Sequence, residues 1–285
     1  MLIINNNLCF KVAPYGHTQG YSSLPFNKSF CVYDENSKIR FDTDSNGARI
    51  FSSVVNNINL KIFGDSQVLG LDVNLETNHY IKKVYPNQNL KFYAAPNNGP
   101  YEVIKSIKNN ANNNEFIVIT FNSSTDIYRI REGWNFLTNV PMSNKKVSLM
   151  TNYPFLLDLI KFFNFYINDD KPKLLNNYHM QDLFLDYKND EILKNFDLYF
   201  ENLYSILENK NILFEFLITH PYWIYDRRGE KLVINVDVFK KYNDFKKLLL
   251  SKYPFIKFSR ISEEIANLED LTSDKRHLRS NKFIF

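Results

Sequence analysis

The chain has 285 residues, of which 44% are hydrophobic and 16% aromatic, and its 35 Lys and Arg against 31 Asp and Glu give a formal net charge of +4. This composition provides for a buried core and excludes a largely disordered chain, while the small, scattered positive excess argues against nucleic acid as a partner. The N-terminal residues lack the blocks of a signal peptide, and no apolar run reaches the roughly 18 residues of a membrane span. We therefore expect a cytoplasmic protein without a membrane span.

Residues 1–57 are predicted to form short strands. The segments CFKV, SFCVYD and KIRFDTD alternate apolar and polar residues, and turns that contain glycine or asparagine separate them. Cys9 and Cys31 lie in these apolar stretches, and neither belongs to a CxxC pair. We expect reduced, buried thiols, with a disulfide as the alternative.

From residue 58 on, short apolar runs alternate with helical patterns. The runs are NLKIF (59–63), KFYAA (91–95), EFIVITF (115–121), NILFEFLIT (211–219) and PFIKFSRI (254–261). Between them, apolar residues recur at helical spacing, most clearly in 101–113 and 236–253. The alternation predicts an α/β fold with a five-stranded parallel sheet joined by right-handed crossovers.

The middle of the chain interrupts this alternation. Two amphipathic patterns, around 153–167 and 190–208, are joined by a polar stretch rich in Asn, Asp and Lys. We interpret about 134–210 as a helical insertion. The predicted organisation is a β-rich N-terminal extension, 1–57, packed on a main domain, 58–285, that contains the insertion.

Several residues that follow the predicted strands have the chemistry of an acyl-transfer site. Ligands of an open parallel sheet bind at the carboxyl ends of its strands. Ser66 follows the first strand, and Asp274 and His277 lie beyond the fifth, close enough for one turn to present both. A serine becomes a nucleophile when a histidine takes its proton and a carboxylate orients the imidazole. Backbone amides of Ser66 and Gly99 and the side-chain amide of Asn122 are candidate donors to an oxyanion.

Four short blocks together resemble the SGNH, or GDSL-like, hydrolases and acyltransferases. The blocks are, in chain order, Gly64-Asp65-Ser66 with Gly70 (family pattern G-D-S-x-x-x-G), Gly99, Asn122 (near G-x-N-D) and Asp274-Lys275-Arg276-His277 (D-x-x-H). The resemblance covers 58–133 and about 211–280, and it implies a flavodoxin-like three-layer α/β/α fold with 58–285 as the catalytic domain. It also implies Ser66 as nucleophile, His277 as base and Asp274 as the residue that orients it. Ser66 N–H, Gly99 N–H and Asn122 would form the oxyanion hole.

The third block departs from the family pattern. Thr120-Phe121-Asn122-Ser123 lacks both the glycine and the following aspartate. A second frame, Ser123-Ser124-Thr125-Asp126, keeps the aspartate but has threonine in place of asparagine. Asn122 is preferred because it directly follows the strand; otherwise Thr125 or Ser124 would supply the donor. Asp126 is the next candidate for the orienting carboxylate if Asp274 does not act.

Other polar residues are candidate substrate contacts or are assigned to the surface. The candidate substrate contacts are His220, Arg129 and Arg276. The two arginines could bind an anionic group of the substrate, and the alternative is that they are solvated surface residues. His17 is expected in a loop that could line the cleft, and His79 and His179 are expected to be solvated. No His, Cys and carboxylate cluster has metal-ligand spacing, so neither a metal nor a bound cofactor is predicted.

These features predict an enzyme that passes an ester acyl group to Ser66 and then to an acceptor. The overall pattern is most similar to bacterial enzymes that handle O-acetyl groups on surface glycans. It favours an O-acetyltransferase with acetyl-CoA as cosubstrate and a sugar hydroxyl, for example of a sialic acid, as acceptor. A carbohydrate O-acetylesterase is the first alternative, and a non-catalytic glycan-binding protein is the second. The predicted partner is a small molecule or an oligosaccharide, and nothing in the sequence indicates an oligomeric state.

Overall fold

The computed structural model of the protein describes residues 9–10, 13, 15–18, 21–34, 37–51, 59–70, 79–96, 98–123, 126–131, 181, 184–186, 188–228, 231–261 and 283–284. The described strands are, in chain order, β1 (Cys9–Phe10), β2 (Gly16–Thr18), β3 (Tyr21–Ser23), β4 (Ser29–Asp34), β5 (Ser37–Asp42), β6 (Arg49–Phe51), β7 (Asn59–Gly64), β8 (Asn89–Ala94), β9 (Phe116–Asn122), β10 (Leu213–Thr219), β11 (Tyr225–Arg228), β12 (Lys231–Ile234), β13 (Ile256–Phe258), β14 (Arg260–Ile261) and β15 (Phe283–Ile284). The described helices are α1 (Ser66–Leu69), α2 (Tyr80–Val84), α3 (Pro100–Asn110), α4 (Asp126–Arg131), α5 (Asn189–Asn209) and α6 (Val236–Lys252).

Six of these strands form the central sheet, in the order β13-β10-β9-β7-β8-β6. All neighbours in it are parallel except β6, which runs antiparallel to β8. The α/β class predicted from the sequence is confirmed, but the sheet is mixed and has six strands instead of five parallel ones. The sixth strand comes from the N-terminal region, so part of 1–57 belongs to the central sheet.

The inner strands explain why the apolar runs were continuous. Beyond its first residue, β7 is buried at every position, and the same is true of β9. A parallel strand covered on both faces needs apolar residues at successive positions instead of every second one. Helices α3, α5 and α6 pack beside one another, with the Tyr101 and Tyr199 ring centres 6.0 Å apart and those of Phe196 and Phe245 also 6.0 Å apart.

Helix α5 is the crossover helix between β9 and β10. Its buried positions recur every three or four residues, at Ile192, Phe196, Tyr199, Phe200, Leu203 and Leu207. The Phe196 ring centre lies 5.3 Å from that of Phe121 in β9. The Phe200 ring centre lies 5.2 Å from that of Phe216 in β10. The helix that the sequence analysis assigned to the insertion thus packs on the central sheet, and its amphipathic pattern alone did not show which surface it covers. Residues 134–180 of the predicted insertion lie outside the described residues.

The N-terminal strands form a small sheet in the order β1-β4-β5. Strand β1 runs parallel to β4 and places Cys9 directly opposite Cys31. Their Cα atoms are 4.4 Å apart, and the two cysteines form a disulfide. The expectation of reduced thiols is therefore wrong. Facing positions on neighbouring strands bring two side chains within bonding range whatever their separation in sequence.

The residues after β10 contain elements that the sequence did not predict. A 3₁₀ turn, Tyr222–Ile224, leads into the antiparallel hairpin β11–β12, and a single residue, Asn235, separates the end of β12 from the start of α6 at Val236. Near the C-terminus, β15 pairs antiparallel with β14. None of the helices in the described part of the chain is long and apolar enough to cross a membrane.

Candidate functional site

The strand order reverses direction between β7 and β9. After β7 the chain continues to β8 on one side, and it then returns to β9 on the other side of β7. Ligands of open α/β sheets bind beside the carboxyl ends of the strands at such a reversal. Ser66 follows the end of β7 by two residues, and Asn122 is the last residue of β9. Two of the predicted site residues thus lie at the same point of the sheet edge.

Close packing at this point requires a glycine at the end of β7. A Cβ atom on Gly64 would lie 2.0 Å from Thr120 Oγ1 and 2.5 Å from Val68 Cγ1. Thr120 Oγ1 is itself fixed, since it donates to the Phe63 carbonyl at 3.1 Å. A larger residue at Gly64 would therefore push β7 away from β9.

Asp65 fixes both sides of the turn that carries Ser66. Its Oδ1 accepts a hydrogen bond from the Gln67 N–H at 2.8 Å, which makes Asp65 the N-cap of α1. Its Oδ2 accepts a hydrogen bond from Asn122 Nδ2 at 2.9 Å. Asp65 and Asn122 are buried, with 4% and 2% exposure, whereas Ser66 is only partly buried. Asp65 thus ties the Asn122 amide to the turn that carries Ser66, and Ser66 is partly exposed to solvent.

A second buried carboxylate holds the backbone of Asn122. Asp126 Oδ2 accepts a hydrogen bond from the Asn122 N–H at 2.8 Å. Because Asp126 begins α4, this bond closes the loop between β9 and that helix. Thr125 and Ser124, the predicted alternatives to Asn122, lie outside the described residues. Asp126 therefore positions the candidate oxyanion donor.

His79 is a structural histidine at the start of α2. Its Nδ1 accepts a hydrogen bond from the Ile81 N–H at 3.1 Å, and its Nε2 lies 2.9 Å from the Val68 carbonyl oxygen. With Nδ1 as acceptor, the neutral ring carries its proton on Nε2 and donates it to Val68. Complete burial, and next the charge of Arg49, lower the pKa of His79 to about 3. The expectation of a solvated histidine is wrong, because the residue before a short helix can face inward as readily as outward.

Arg49 reaches the same turn from the edge strand β6. Its Nη1 donates to the Leu69 and Gly70 carbonyls at 2.7 and 2.8 Å, and its Nη2 donates to the Arg40 carbonyl at 3.1 Å. The guanidinium carbon lies 3.6 Å from the ring centre of Phe41. Since α1 is one turn long, these bonds satisfy carbonyls that no following helical turn can satisfy. Arg49 was not predicted, although a lone arginine in the apolar segment ARIF was the available signal.

Gly99 precedes α3 at the carboxyl end of β8. Its N–H donates to Glu102 Oε2 at 3.1 Å, so the amide assigned to the oxyanion hole is bonded to a carboxylate in this structure. The preceding Asn98 accepts from the Ser22 N–H at 2.8 Å and donates to the Ser22 carbonyl at 3.1 Å. These bonds tie the β2–β3 hairpin to the site edge. His17, expected in a loop, lies in that hairpin opposite Ser22.

His220 follows β10 at the same edge of the sheet. Its backbone N–H donates to Ser259 Oγ at 2.8 Å, and its ring centre lies 6.1 Å from that of Tyr225 and 5.5 Å from that of Tyr242. Its Nε2 atom is buried and has no hydrogen-bond partner among the described groups. Burial, and next the charge of Lys246, lower the pKa of His220 to about 3, so the ring is neutral at physiological pH.

The other predicted site residues are not described, or only through their backbone. Asp274, Arg276 and His277 lie outside the described residues, and so does His179. Arg129 belongs to α4, and its side chain is outside the description. The Ser66, His277 and Asp274 triad therefore stays a prediction.

The chemistry assembled at the described edge consists of a serine, an amide and buried carboxylates. In the ranges that the structure describes, no group of three or more His, Cys, Asp and Glu side chains could hold a metal ion. A comparison of the chain with models of protein families finds no match, and a comparison with curated proteins finds none either.

Proposed function

We propose that the protein is a serine-dependent enzyme that transfers an ester acyl group, of the SGNH type that its sequence resembles. The observation that carries this proposal is the arrangement of Ser66 and Asn122 at the reversal between β7 and β9, with Asp65 joining the two. A serine that begins a helix directly after a strand presents its hydroxyl at the ligand-binding edge. Asn122 Nδ2 donates one N–H to Asp65, and its second N–H would be the donor to a developing oxyanion.

The order of the strands supports the layout that the resemblance implies. Counted along the chain, the five parallel strands have the order 2-1-3-4-5, which is that of flavodoxin-like sheets. Right-handed crossovers would put α3, α5 and α6 on one face and the β7–β8 connection on the other. The contacts among α3, α5 and α6 agree with this arrangement. The proposed fold is thus a flavodoxin-like α/β/α layout, extended by the antiparallel strand β6.

In the proposed reaction, Ser66 Oγ attacks the ester carbonyl while His277 takes its proton and Asp274 orients the imidazole. The oxyanion accepts hydrogen bonds from the Ser66 N–H and the Asn122 amide. The leaving group, the thiol of CoA or the alcohol of an ester, takes the proton from His277 as the acyl-Ser66 ester forms. The acceptor hydroxyl then gives its proton to His277 and attacks this ester, and Ser66 Oγ leaves with that proton. Gly99 would add a donor once the Glu102 carboxylate releases its N–H.

For the acceptor, we propose a hydroxyl group of a bacterial surface glycan such as a sialic acid, with acetyl-CoA as the cytoplasmic acyl donor. This assignment extends the resemblance of the sequence to O-acetyl-handling enzymes. The O-acetylesterase is the second candidate, and the Cys9–Cys31 disulfide favours it. Structural disulfides persist in oxidising compartments and are rare in the cytosol, where acetyl-CoA is made. The redox state of the two cysteines therefore bears on the compartment and on the reaction.

A fluorophosphonate probe, which bonds covalently to activated serines, tests the proposed nucleophile. The full chain should be labelled at Ser66, and Ser66→Ala should lose the label. Ser251→Ala, which removes an exposed hydroxyl from α6, is the matched control and should keep it. Mass spectrometry of the peptides locates the label. If the wild-type chain is not labelled, the enzyme proposal is contradicted and the glycan-binding alternative is favoured.

If Asn122 belongs to the oxyanion hole, removing its side chain should slow the reaction of Ser66 with the probe and leave the nucleophile in place. Asn122→Ala should reduce the rate of labelling by about 10²–10³-fold, since one oxyanion donor is removed. Asn202→Ala, on the exposed face of α5, should label at the wild-type rate. A rate for Asn122→Ala close to that of the wild type would remove Asn122 from the oxyanion hole.

Thiol titration and product analysis separate the two candidate reactions. The denatured chain, purified without reductant, should show no titratable thiol if the disulfide is present in the cell, and two thiols if it is not. In parallel, the protein is incubated with acetyl-CoA and sialylated oligosaccharides, and the products are identified by mass spectrometry. Acetylated glycan supports the transferase. Release of acetate from O-acetylated glycan, without transfer, supports the esterase.

A further inference from the structure

Two cations, half-buried Lys246 and exposed Arg260, lie near the carboxyl end of β13, on the far side of β10 from Ser66. Lys246 of α6 places its Nζ 5.0 Å from the ring centre of Phe258, the last residue of β13, and Arg260 follows two residues later. Lys246 is half-buried, and burial together with the charge of Arg260 lowers its pKa. Within the described part of the chain, no ion pair includes either side chain.

His220 adjoins these cations. Its backbone N–H is bonded to Ser259, the residue between Phe258 and Arg260. Its ring packs against Tyr242, which lies one helical turn before Lys246 and so on the same face of α6. The buried His220 Nε2 atom has no hydrogen-bond partner among the described groups. We refer to His220, Lys246 and Arg260 as the corner site.

Among the described residues, the corner site has no carboxylate partner. Neighbouring cations repel each other, and a half-buried ammonium group has lost part of its hydration. A buried ring nitrogen without a partner likewise costs stability. An oxyanion offsets both costs, because it accepts hydrogen bonds from an ammonium, a guanidinium and a ring N–H. We propose that the corner site binds an anionic group, a carboxylate or a phosphate, of the substrate.

The distance along the sheet edge restricts the class of ligand. Three strand spacings separate β7 from β13, which is about 14 Å at about 4.8 Å each. The inference rests on the proposed function in one respect, namely that the same molecule presents its ester to Ser66. Such a molecule carries its anionic group about 14 Å from the ester. This excludes simple acetyl esters and fits the phosphates of a nucleotide-linked acyl donor or the carboxylate of an acidic oligosaccharide.

Isothermal titration calorimetry of the full chain tests the site with two probes, sodium pyrophosphate and N-acetylneuraminic acid, and with glucose as the uncharged control. At least one anion should bind with a stoichiometry of one. Lys246→Gln and Arg260→Gln should each weaken that binding about tenfold or more, since each removes a charge-assisted hydrogen bond. Lys247→Gln is the matched control. Its side chain is exposed and lies 3.8 Å from Asp244, so affinity should stay within about twofold.

Each outcome has a defined meaning. Binding of pyrophosphate alone supports the site and assigns it to phosphate, and binding of N-acetylneuraminic acid alone supports it and assigns it to carboxylate. The inference is overturned if neither anion binds, or if Lys247→Gln loses as much affinity as Lys246→Gln. Thermal midpoints without ligand check the fold, and the midpoint of Lys246→Gln should stay close to that of the wild type, because the loss of the contact with Phe258 offsets the repulsion that is removed.

The same samples distinguish failure of the corner site from failure of the proposed function. Ser66→Ala should bind the anion as the wild type does, because the nucleophile takes no part in anion binding. A wild-type chain that binds the anion but resists the fluorophosphonate contradicts the serine enzyme alone. A chain that is labelled at Ser66 but binds neither anion contradicts the corner site alone.

Discussion

The two ends of the site edge each contain a histidine, fully buried His79 and partly buried His220, and the two differ in their hydrogen bonds. At the β7 end, both ring nitrogens of His79 are bonded, to the Ile81 N–H and to the Val68 carbonyl. At the β10 end, the Nε2 atom of His220 has no partner among the described groups. The pKa of each is lowered to about 3, chiefly by burial. A lowered pKa therefore does not separate a structural histidine from one that awaits a ligand, whereas the state of its hydrogen bonds does.

Arg49 and Trp223 distinguish the surroundings of the two histidines. Around His79, the Arg49 side chain and the backbone carbonyls at the end of α1 satisfy one another. Near His220, the indole Nε1 of Trp223 is also buried without a hydrogen-bond partner in the described structure. The β7 end thus has the construction of a rigid support for Ser66. The β10 end keeps polar atoms that a ligand can satisfy.

The largest expected effect comes from removing the support of the β7 end. Arg49→Met should lower the free energy of unfolding by about 3–5 kcal/mol, because two buried carbonyls, of Leu69 and Gly70, and the partly buried carbonyl of Arg40 lose this donor. Arg40→Met is the control. Its guanidinium is exposed and pairs with an exposed Asp42, so stability should change little. Urea denaturation at equilibrium measures both variants. Equal midpoints for the two would mean that water replaces Arg49, and the β7 end would not be a rigid support.

A pair of matched substitutions compares the two histidines directly. His79→Leu should lower the free energy of unfolding by about 2–3 kcal/mol, because the Ile81 N–H and the Val68 carbonyl lose their partner. His220→Leu should change it by less than about 1 kcal/mol, since no described group loses a side-chain hydrogen bond. Both are measured by urea denaturation at pH 7.5, where both rings are neutral. Similar losses of stability in the two variants would contradict the proposed difference between the hydrogen bonds of the two histidines.

The parallel core was predictable from the sequence because its physical cause is local. Strands buried on both faces must be apolar at successive positions, so β7, β9 and β10 appear as short continuous runs. The positions of Ser66 and Asn122 at one edge then follow from the rule that the carboxyl ends of parallel strands lie together. The sequence also identified Gly64 as a turn glycine. It did not indicate why a glycine is needed there, namely the close contact with Thr120.

The features that the sequence analysis did not predict depend on contacts between residues far apart in the chain. Strand β6 has three residues and is defined by its pairing with β8, not by its own pattern. The disulfide depends on the register between β1 and β4. The role of Arg49 depends on its hydrogen bonds to backbone carbonyls. Because every residue has a backbone carbonyl, no sequence pattern indicates which ones an arginine will bind. For the same reason, no pattern distinguished buried His79 from a solvated histidine.

The smallest predicted effect is a pH dependence that the two histidines should share until a ligand separates them. With a folded pKa of about 3 and an ordinary unfolded value near 6.5, each histidine binds its proton only in the unfolded state within that window. Stability from each is complete above about pH 6.5 and is lost as the pH falls towards 3, with a slope that approaches about 1.4 kcal/mol per pH unit. The carboxylates with lowered pKa, such as Asp42 and Glu115, lose their contribution at more acidic pH. Measurements from pH 7.5 to 5 therefore isolate the histidines.

Urea denaturation across this range measures how the free energy of unfolding depends on pH. This dependence should be weaker in His79→Gln and in His220→Gln than in the wild type, and each difference is the share of the slope that one histidine contributes. Adding the anion that binds the corner site should then separate the two. A bound anion favours the charged imidazole, so it raises the pKa of His220 and reduces that share of the slope. The share of His79 should not change, because its ring nitrogens are already bonded within the protein. If the anion alters both shares equally, it acts on the whole chain and not at the β10 end, and the hydrogen bonds of the two histidines do not assign them different roles.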